Sequence, residues 1–273
     1  MSRFFILNAD DFGMTKTRNQ AIFEGHKKGF LKSTSICVNG DAFEEAARDL
    51  IPQCPGLGVG VHLNIIEGKA LRPGSSLTDG SGNFKPGFIR LLRSSGGKKF
   101  LQDVEDEFRA QIEKGLKYIK FDHADSHVHT HGIPNIFKIA AKLAKEYGLK
   151  GLRTQYEKRY TVPDTSKNLT PAFLVNRIKI LLLNTFTLGN RKYLGNLKTN
   201  NLILGVGYTA MMNAQTVEYG LRNALKLQGD LVVEALFHPD SACQNGEYLI
   251  PFDRELETKI GGMGFTITNY GGL

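Results

Sequence analysis

Tryptophan is absent from the 273 residues, and cysteine is scarce: Cys37, Cys54 and Cys243. Three cysteines that are far apart and form no CxxC pair exclude a disulfide framework and a thiolate zinc site, and all three are assigned to the core. Long apolar runs are missing too. The longest, FLVNRIKILLLNTF at 173–186, is interrupted by Asn, Arg and Lys and reads as too short and too charged to span a bilayer, so no stable membrane insertion is expected. The opening MSRFFILNADD enters a strand at once, without an apolar leader or a cleavage signature, so a cytoplasmic protein is expected. The net charge is +8, but Lys and Arg are spread along the chain. With no dense basic block and no nucleic-acid-binding signature, no nucleic-acid partner is expected. A composition of 41% hydrophobic and 23% charged residues excludes disorder for most of the length.

What is present is an alternation of short apolar runs with helical patterns. Strands are expected at RFFILNA, 33–39, 57–64, 118–125, 149–154, 202–207 and 231–239, with GFTITNY closing the chain. Helices are expected at 15–29, 100–115, 171–186 and 215–228, and from IPNIFKIAAKLAKEYG, where Pro134 lies near the start and Gly148 ends the pattern. Asp41 with Glu44 three residues on resembles a capping box. Neither an internal repeat nor a domain linker is visible. The reading is one α/β domain over 1–273, a (β/α) barrel-like fold of seven strands, irregular, with insertions at about 66–98 and 156–200. The first insertion is rich in Gly, Pro and Ser; the second is basic and polar.

In such barrels chemistry gathers at the C-terminal ends of the strands. Asp10 and Asp11 end the first strand in NADDFG. His62 and Asn64 end GVGVH, and Asp125, His127 and His129 end YIKFDHAD. Arg153 ends LKGLR, and His238 and Asp240 end VVEALF. Five of the seven histidines lie at these ends or just beyond. In DSHVHTH, an extended backbone would put three imidazoles on one face, which favours a metal or catalytic role over a polar loop capping the next helix. The Glu44–Glu45 and Asp103–Glu107 charges read as solvated helix faces.

Two adjacent carboxylates repel each other, and a cation relieves that cost. One carboxylate with two imidazoles makes a three-ligand catalytic metal site with positions left for water. The other carboxylate is then free to act as base, and His238 is a candidate general acid for a leaving nitrogen. The competing reading of the Asp pair is a cap for the helix after FGMT. Arg153 either orients a carboxylate bidentately or is a plain surface charge.

NADDFG, GVGVHLN, DSHVHTH, the strand-ending LRTQYE and the late HP resemble, in this order, the YdjC-like (ChbG/HpnK) carbohydrate deacetylases, from residue 4 to about 270. The resemblance implies a barrel related to polysaccharide deacetylases and hydrolysis of an N-acetyl group from an amino sugar, with a divalent metal. Carried over by motif, Asp11, His62 and His127 are implied as metal ligands, Asp10 as base and His238 as acid. Asp125, His129, Arg153 and Asn64 are left for contacts to substrate or for support behind the ligands. Magnesium (Mg2+) is implied first, although two imidazoles suit zinc (Zn2+), which stands second. Many relatives carry DSHHHVH where Val128 and Thr130 stand here. The implied partner is an amino-sugar-containing small molecule or glycolipid, and a homodimer is compatible with the family. Competing functions are a non-catalytic sugar-binding barrel and a metal-dependent hydrolase of another bond.

Overall fold

In the computed structural model, residues 1–85, 87–168 and 170–273 are described. Among them, eight strands form one parallel sheet: β1 (Arg3–Phe12), β2 (Ser33–Ile36), β3 (Gly58–Leu63), β4 (His123–Ser126), β5 (Gly151–Leu152), β6 (Leu202–Leu204), β7 (Leu231–Phe237) and β8 (Thr266–Thr268). Seven follow the order β5-β4-β3-β2-β1-β7-β6, and β8 pairs with the first half of β1. The sheet curls until its ends approach. A parallel bridge joins Gly151 to Lys198. Nearby, Asn200 Oδ1 accepts from the Thr154 N–H at 2.7 Å, and its Nδ2 donates to the Thr154 carbonyl at 2.9 Å. The fold is thus an α/β barrel of seven strands closed by few bonds, irregular as expected.

The strands are apolar toward the helices and polar toward the barrel axis, with the period of two that a strand imposes. Asn8 and Asp10 on β1, Ser33 and Ser35 on β2, His62 on β3, His123 and Asp125 on β4, and Glu234 on β7 sit at alternate positions and are nearly fully buried. They bond to one another: Ser33 Oγ donates to Asn8 Oδ1 (2.6 Å), and Ser35 Oγ donates to Asp125 Oδ2 (2.7 Å). Gly60 makes room for this interior, since a Cβ there would lie 2.3 Å from the His123 ring.

Element boundaries differ where tertiary pairing overrides local pattern. β1 runs to Phe12, because pairing with β2 resumes at Phe12–Ile36 after an irregularity. Asp41 caps nothing: the short helix Phe43–Glu45 starts behind Ala42 with no side-chain cap. The 66–98 excursion is tied down on the helix Lys98–Leu116. Glu107 accepts from the Leu71 and Arg72 N–H groups at 3.1 and 2.8 Å, and Asp103 accepts from Ser76 N and Oγ. Both acids are therefore buried, not solvated as the helix pattern suggests. Cys37 and Cys54 lie in the core, but Cys243 is exposed. The helix Pro171–Asn190 runs four residues past its expected end, from 186 to 190. With the turn to Tyr193 it is long and apolar enough, by length and composition alone, to cross a bilayer, although only 22% of that stretch is buried in the protein.

Candidate active site

The site begins where β1 ends. Asp11 adopts φ 70°, a left-handed conformation that typically costs about 1–3 kcal/mol for a residue with a side chain. That twist separates the adjacent carboxylates. Asp10 turns into the barrel and Asp11 toward the rim. Gly13 follows at φ +84°, and a Cβ there would sit 2.9 Å from the Cys37 carbonyl oxygen. Gly13→Ala is expected to cost at least about 1 kcal/mol through this φ and contact, read as a lower thermal midpoint; an unchanged midpoint would refute the constraint. The following helix is capped by Thr15, which accepts from the Arg18 N–H, so the Asp pair is not its cap.

Arg153 is completely buried, not a surface charge. Its Nη1 and Nη2 donate to Asp10 Oδ2 and Oδ1 at 2.7 and 2.8 Å, and Asn8 Nδ2 donates to Asp10 Oδ1 at 2.7 Å. The same guanidinium meets Asp125 Oδ2 and Glu234 Oε1, each at 2.7 Å. One cation thus holds three buried carboxylates. Burial pushes the Asp125 carboxyl up, but Arg153 and His62 outweigh it and hold the group well below the usual carboxylate range.

His62 Nδ1 donates to Asp125 Oδ1 at 2.7 Å, so in the neutral ring the Nε2 lone pair faces Asp11 Oδ1 at 3.4 Å. Two acceptors at that distance require a proton or a cation between them. Without a metal the proton stays: burial opposes it, but Asp125, Asp10 and Asp11 push the His62 pKa up to about 10. His127 Nδ1 also lies 2.9 Å from Asp11 Oδ1, and Arg18 Nη1 donates to Asp11 Oδ2. Burial would raise the Asp11 pKa, yet its bonds to His127 and His62 hold it well below the usual range. Asp11, His62 and His127 place ligand atoms within 4.8 Å of one another. A carboxylate and two imidazoles, with an unmatched acceptor pair between them, fit a divalent cation.

The extended reading of DSHVHTH is overturned. Val128 and His129 have φ 53° and 57°, a left-handed kink within residues 127–132 that aims the three imidazoles apart. His127 Nε2 donates to Glu67 Oε2 at 2.9 Å. His129 lines the pocket with its buried Nδ1 unpaired; burial, then Lys179 and Arg153, keep its pKa well below the ordinary value. His131 accepts from Ser126 Oγ (2.5 Å) and donates to the Arg153 carbonyl (3.0 Å), and burial lowers its pKa to about 4. Asn64 is buried away from the pocket. Its Oδ1 accepts from Ile66 N and Glu67 N at 3.0 and 3.2 Å, shaping the turn that presents Glu67.

His238 completes the rim. Its N–H donates to Glu247 Oε2 at 2.6 Å, and its Nδ1 lies 3.5 Å from the same oxygen. Burial works against protonation, but Glu247, Asp11 and Asp10 raise its pKa above the ordinary 6.5. Asp10, Asp11, His62, His127, His129 and His238 all line one pocket of about 450 Å³, a volume suited to a small ligand. A larger depression of about 710 Å³ beside Tyr270 is lined by no acid and no imidazole. Arg18, Glu67, Glu234 and Glu247 escaped the sequence reading. Of these only Glu234 left a trace, a carboxylate inside the apolar run LVVEALF.

Fold and rim together define an α/β barrel with a carboxylate and two imidazoles that could hold a cation, beside a clamped carboxylate and a further imidazole. The chain belongs to the YdjC-like protein family, whose profile matches residues 4–260. A carbohydrate deacetylase of Clostridium beijerinckii is 34% identical over 172 residues, covering 62% of this chain and 68% of that one. A chitooligosaccharide deacetylase of Escherichia fergusonii is 36% identical over 151 residues, covering 55% of this chain and 58% of that one. The chain thus spans little more than half the length of several curated relatives it matches. A crystal structure from Enterococcus faecalis, described as a putative cellobiose-phosphate cleavage protein, superposes with a TM-score of 0.76 at 25% identity, covering 100% of this chain and 99% of that one.

Proposed function

We propose that the rim is the active site of a divalent-metal-dependent carbohydrate deacetylase that removes an N-acetyl group from an amino sugar, and that the whole chain works as one cytoplasmic unit. The observation that carries this is the set of three ligand atoms on Asp11, His62 and His127 within 4.8 Å, in the pocket that also holds Asp10 and His238. The family and the names of its relatives support the same chemistry. Asp11, His62 and His127 would hold the metal; bound there, it would polarise the acetyl carbonyl and acidify water. Magnesium is implied by the family resemblance and zinc by the two imidazoles, and titration of each ion against wild type and His127→Ala decides between them.

The remaining steps fall to this chain's own groups. Asp10 takes the proton of the attacking water, oriented by Arg153 and Asn8. His238, carrying its proton to higher pH than a free imidazole, delivers it to the leaving nitrogen. His62 is fixed by Asp125, and Glu67 steadies His127. A pure sugar-binding barrel has no use for Asp10 and His238 in these places.

Because the His238 pKa is raised, its acid form persists to higher pH than that of a free imidazole and is lost as pH rises through the folded value. Turnover should fall on that alkaline limb. His238→Asn should lower kcat by about 10²–10⁴-fold and erase the limb; a variant with the wild-type profile would remove His238 from the mechanism. Acetate release from N-acetylglucosamine oligomers, measured before and after chelation, tests the proposal as a whole. Release unaffected by chelation would overturn the metal, and no release in the metal-loaded state would overturn the substrate.

A further inference from the structure

The helix Pro171–Asn190 carries a surface that deacetylation does not use. Phe173, Ile180, Leu183, Thr187 and Asn190 are its buried residues. At 3.6 residues per turn, the opposite side presents Leu174, Val175, Ile178, Leu181, Leu182 and Leu188. These six are 38–67% exposed and make up half of the twelve large exposed hydrophobics among the described residues. Exposed apolar residues scattered singly are ordinary; a contiguous ridge on one helix marks an interaction surface.

Charge identifies the occupant. From Thr165 to Asn213 the sequence holds six Lys or Arg and no Asp or Glu. On the helical wheel Arg177 falls on one flank of the ridge and Arg191 and Lys192 follow at its end, while Lys179, on the other flank, is turned into the pocket. A second copy paired about a two-fold axis would set this cationic ridge against itself, with like charges facing. An anionic lipid surface matches both features: the ridge enters the headgroup boundary while the long basic side chains reach phosphates. The helix satisfies the length and composition of a bilayer span, but its buried side is committed to the protein, so it lies along the surface. Lys179 also lines the pocket of Asp10 and His238, so a docked helix brings the pocket mouth close to the membrane.

We propose that this helix docks the protein peripherally on an anionic lipid bilayer, beside which its pocket opens. The test is flotation of the full chain with vesicles of phosphatidylcholine containing one quarter phosphatidylglycerol, against vesicles of phosphatidylcholine alone. Binding is expected only to the anionic vesicles and should weaken in about 0.5 M salt. Lys192→Glu should weaken partition about fivefold or more. Ile178→Asp with Leu181→Asp should weaken it more than about tenfold, with an unchanged thermal midpoint showing that the fold persists. Absence of flotation, or equal flotation of the double variant, overturns the proposal. So does a wild-type dimer that the double variant converts to monomer, because a second copy would then cover the ridge. Flotation is read without turnover, so its failure leaves the deacetylase reading untouched, and failure of that reading leaves flotation to be judged alone.

Discussion

Asp10→Asn is expected to lower kcat about a thousandfold while KM and metal content stay within about twofold of wild type. The substitution keeps the volume of the side chain and one oxygen for Arg153, so the barrel interior should survive it. What it removes is the carboxylate that can accept a proton at the pocket wall. Asp125 cannot take over. It is absent from the pocket lining. Asp11 cannot either, since it is one of the three groups that would hold the metal. Steady-state kinetics with metal analysis of the same sample decides it: a variant within tenfold of wild type would mean that Asp10 is not the base.

Arg153→Met carries the largest expected loss of stability. The guanidinium is the shared partner of Asp10, Asp125 and Glu234, all essentially buried. Methionine fills much of the volume and removes the cation that the three carboxylates share, leaving only His62 beside Asp125. Breaking a buried pair by removing one partner costs about 3–5 kcal/mol, and a chain of this length should lose roughly 10 °C in thermal midpoint. The loss should shrink in acid. Asp125 is held below its ordinary 3.8, so its stabilisation is present above that value and disappears as pH falls through the lower folded one. As pH falls toward that lower value the two proteins should converge. Melting curves at neutral pH and at the lowest pH at which the wild type stays folded measure this. Equal midpoints at neutral pH would show that Glu234 and Asp10 find other partners.

The parts of the fold legible in the sequence are those written by local periodicity. Apolar runs such as FFIL and LVVEAL alternate with helical patterns, and that alternation forces parallel pairing through crossovers. It also places Asp10, His62, Asp125, Arg153 and His238 at the same end of the barrel, because each follows its own apolar run. Less legible was anything decided by backbone twist or by contacts between distant segments. DSHVHTH reads as extended, but positive φ at Val128 and His129 curls it and sends His131 into the core against Phe137. Asp103 and Glu107 have the spacing of a solvated face and are buried because the 66–98 excursion folds onto them. Glu67, Arg18 and Glu247 sit in a loop and on helices with no periodic signal, and only the assembled barrel brings them to His127, Asp11 and His238. Arg153 could have been a surface charge; three inward carboxylates on other strands bury it.

The most direct measurement is acetate released from N-acetylglucosamine oligomers by metal-stripped protein, before and after reloading with magnesium or zinc, with His127→Ala alongside. Acetate that appears only on reloading, and not in the variant, is the expected result. Acetate released equally by the stripped protein, or none from reloaded protein whose metal is bound at Asp11, His62 and His127, would contradict a metal-dependent deacetylase.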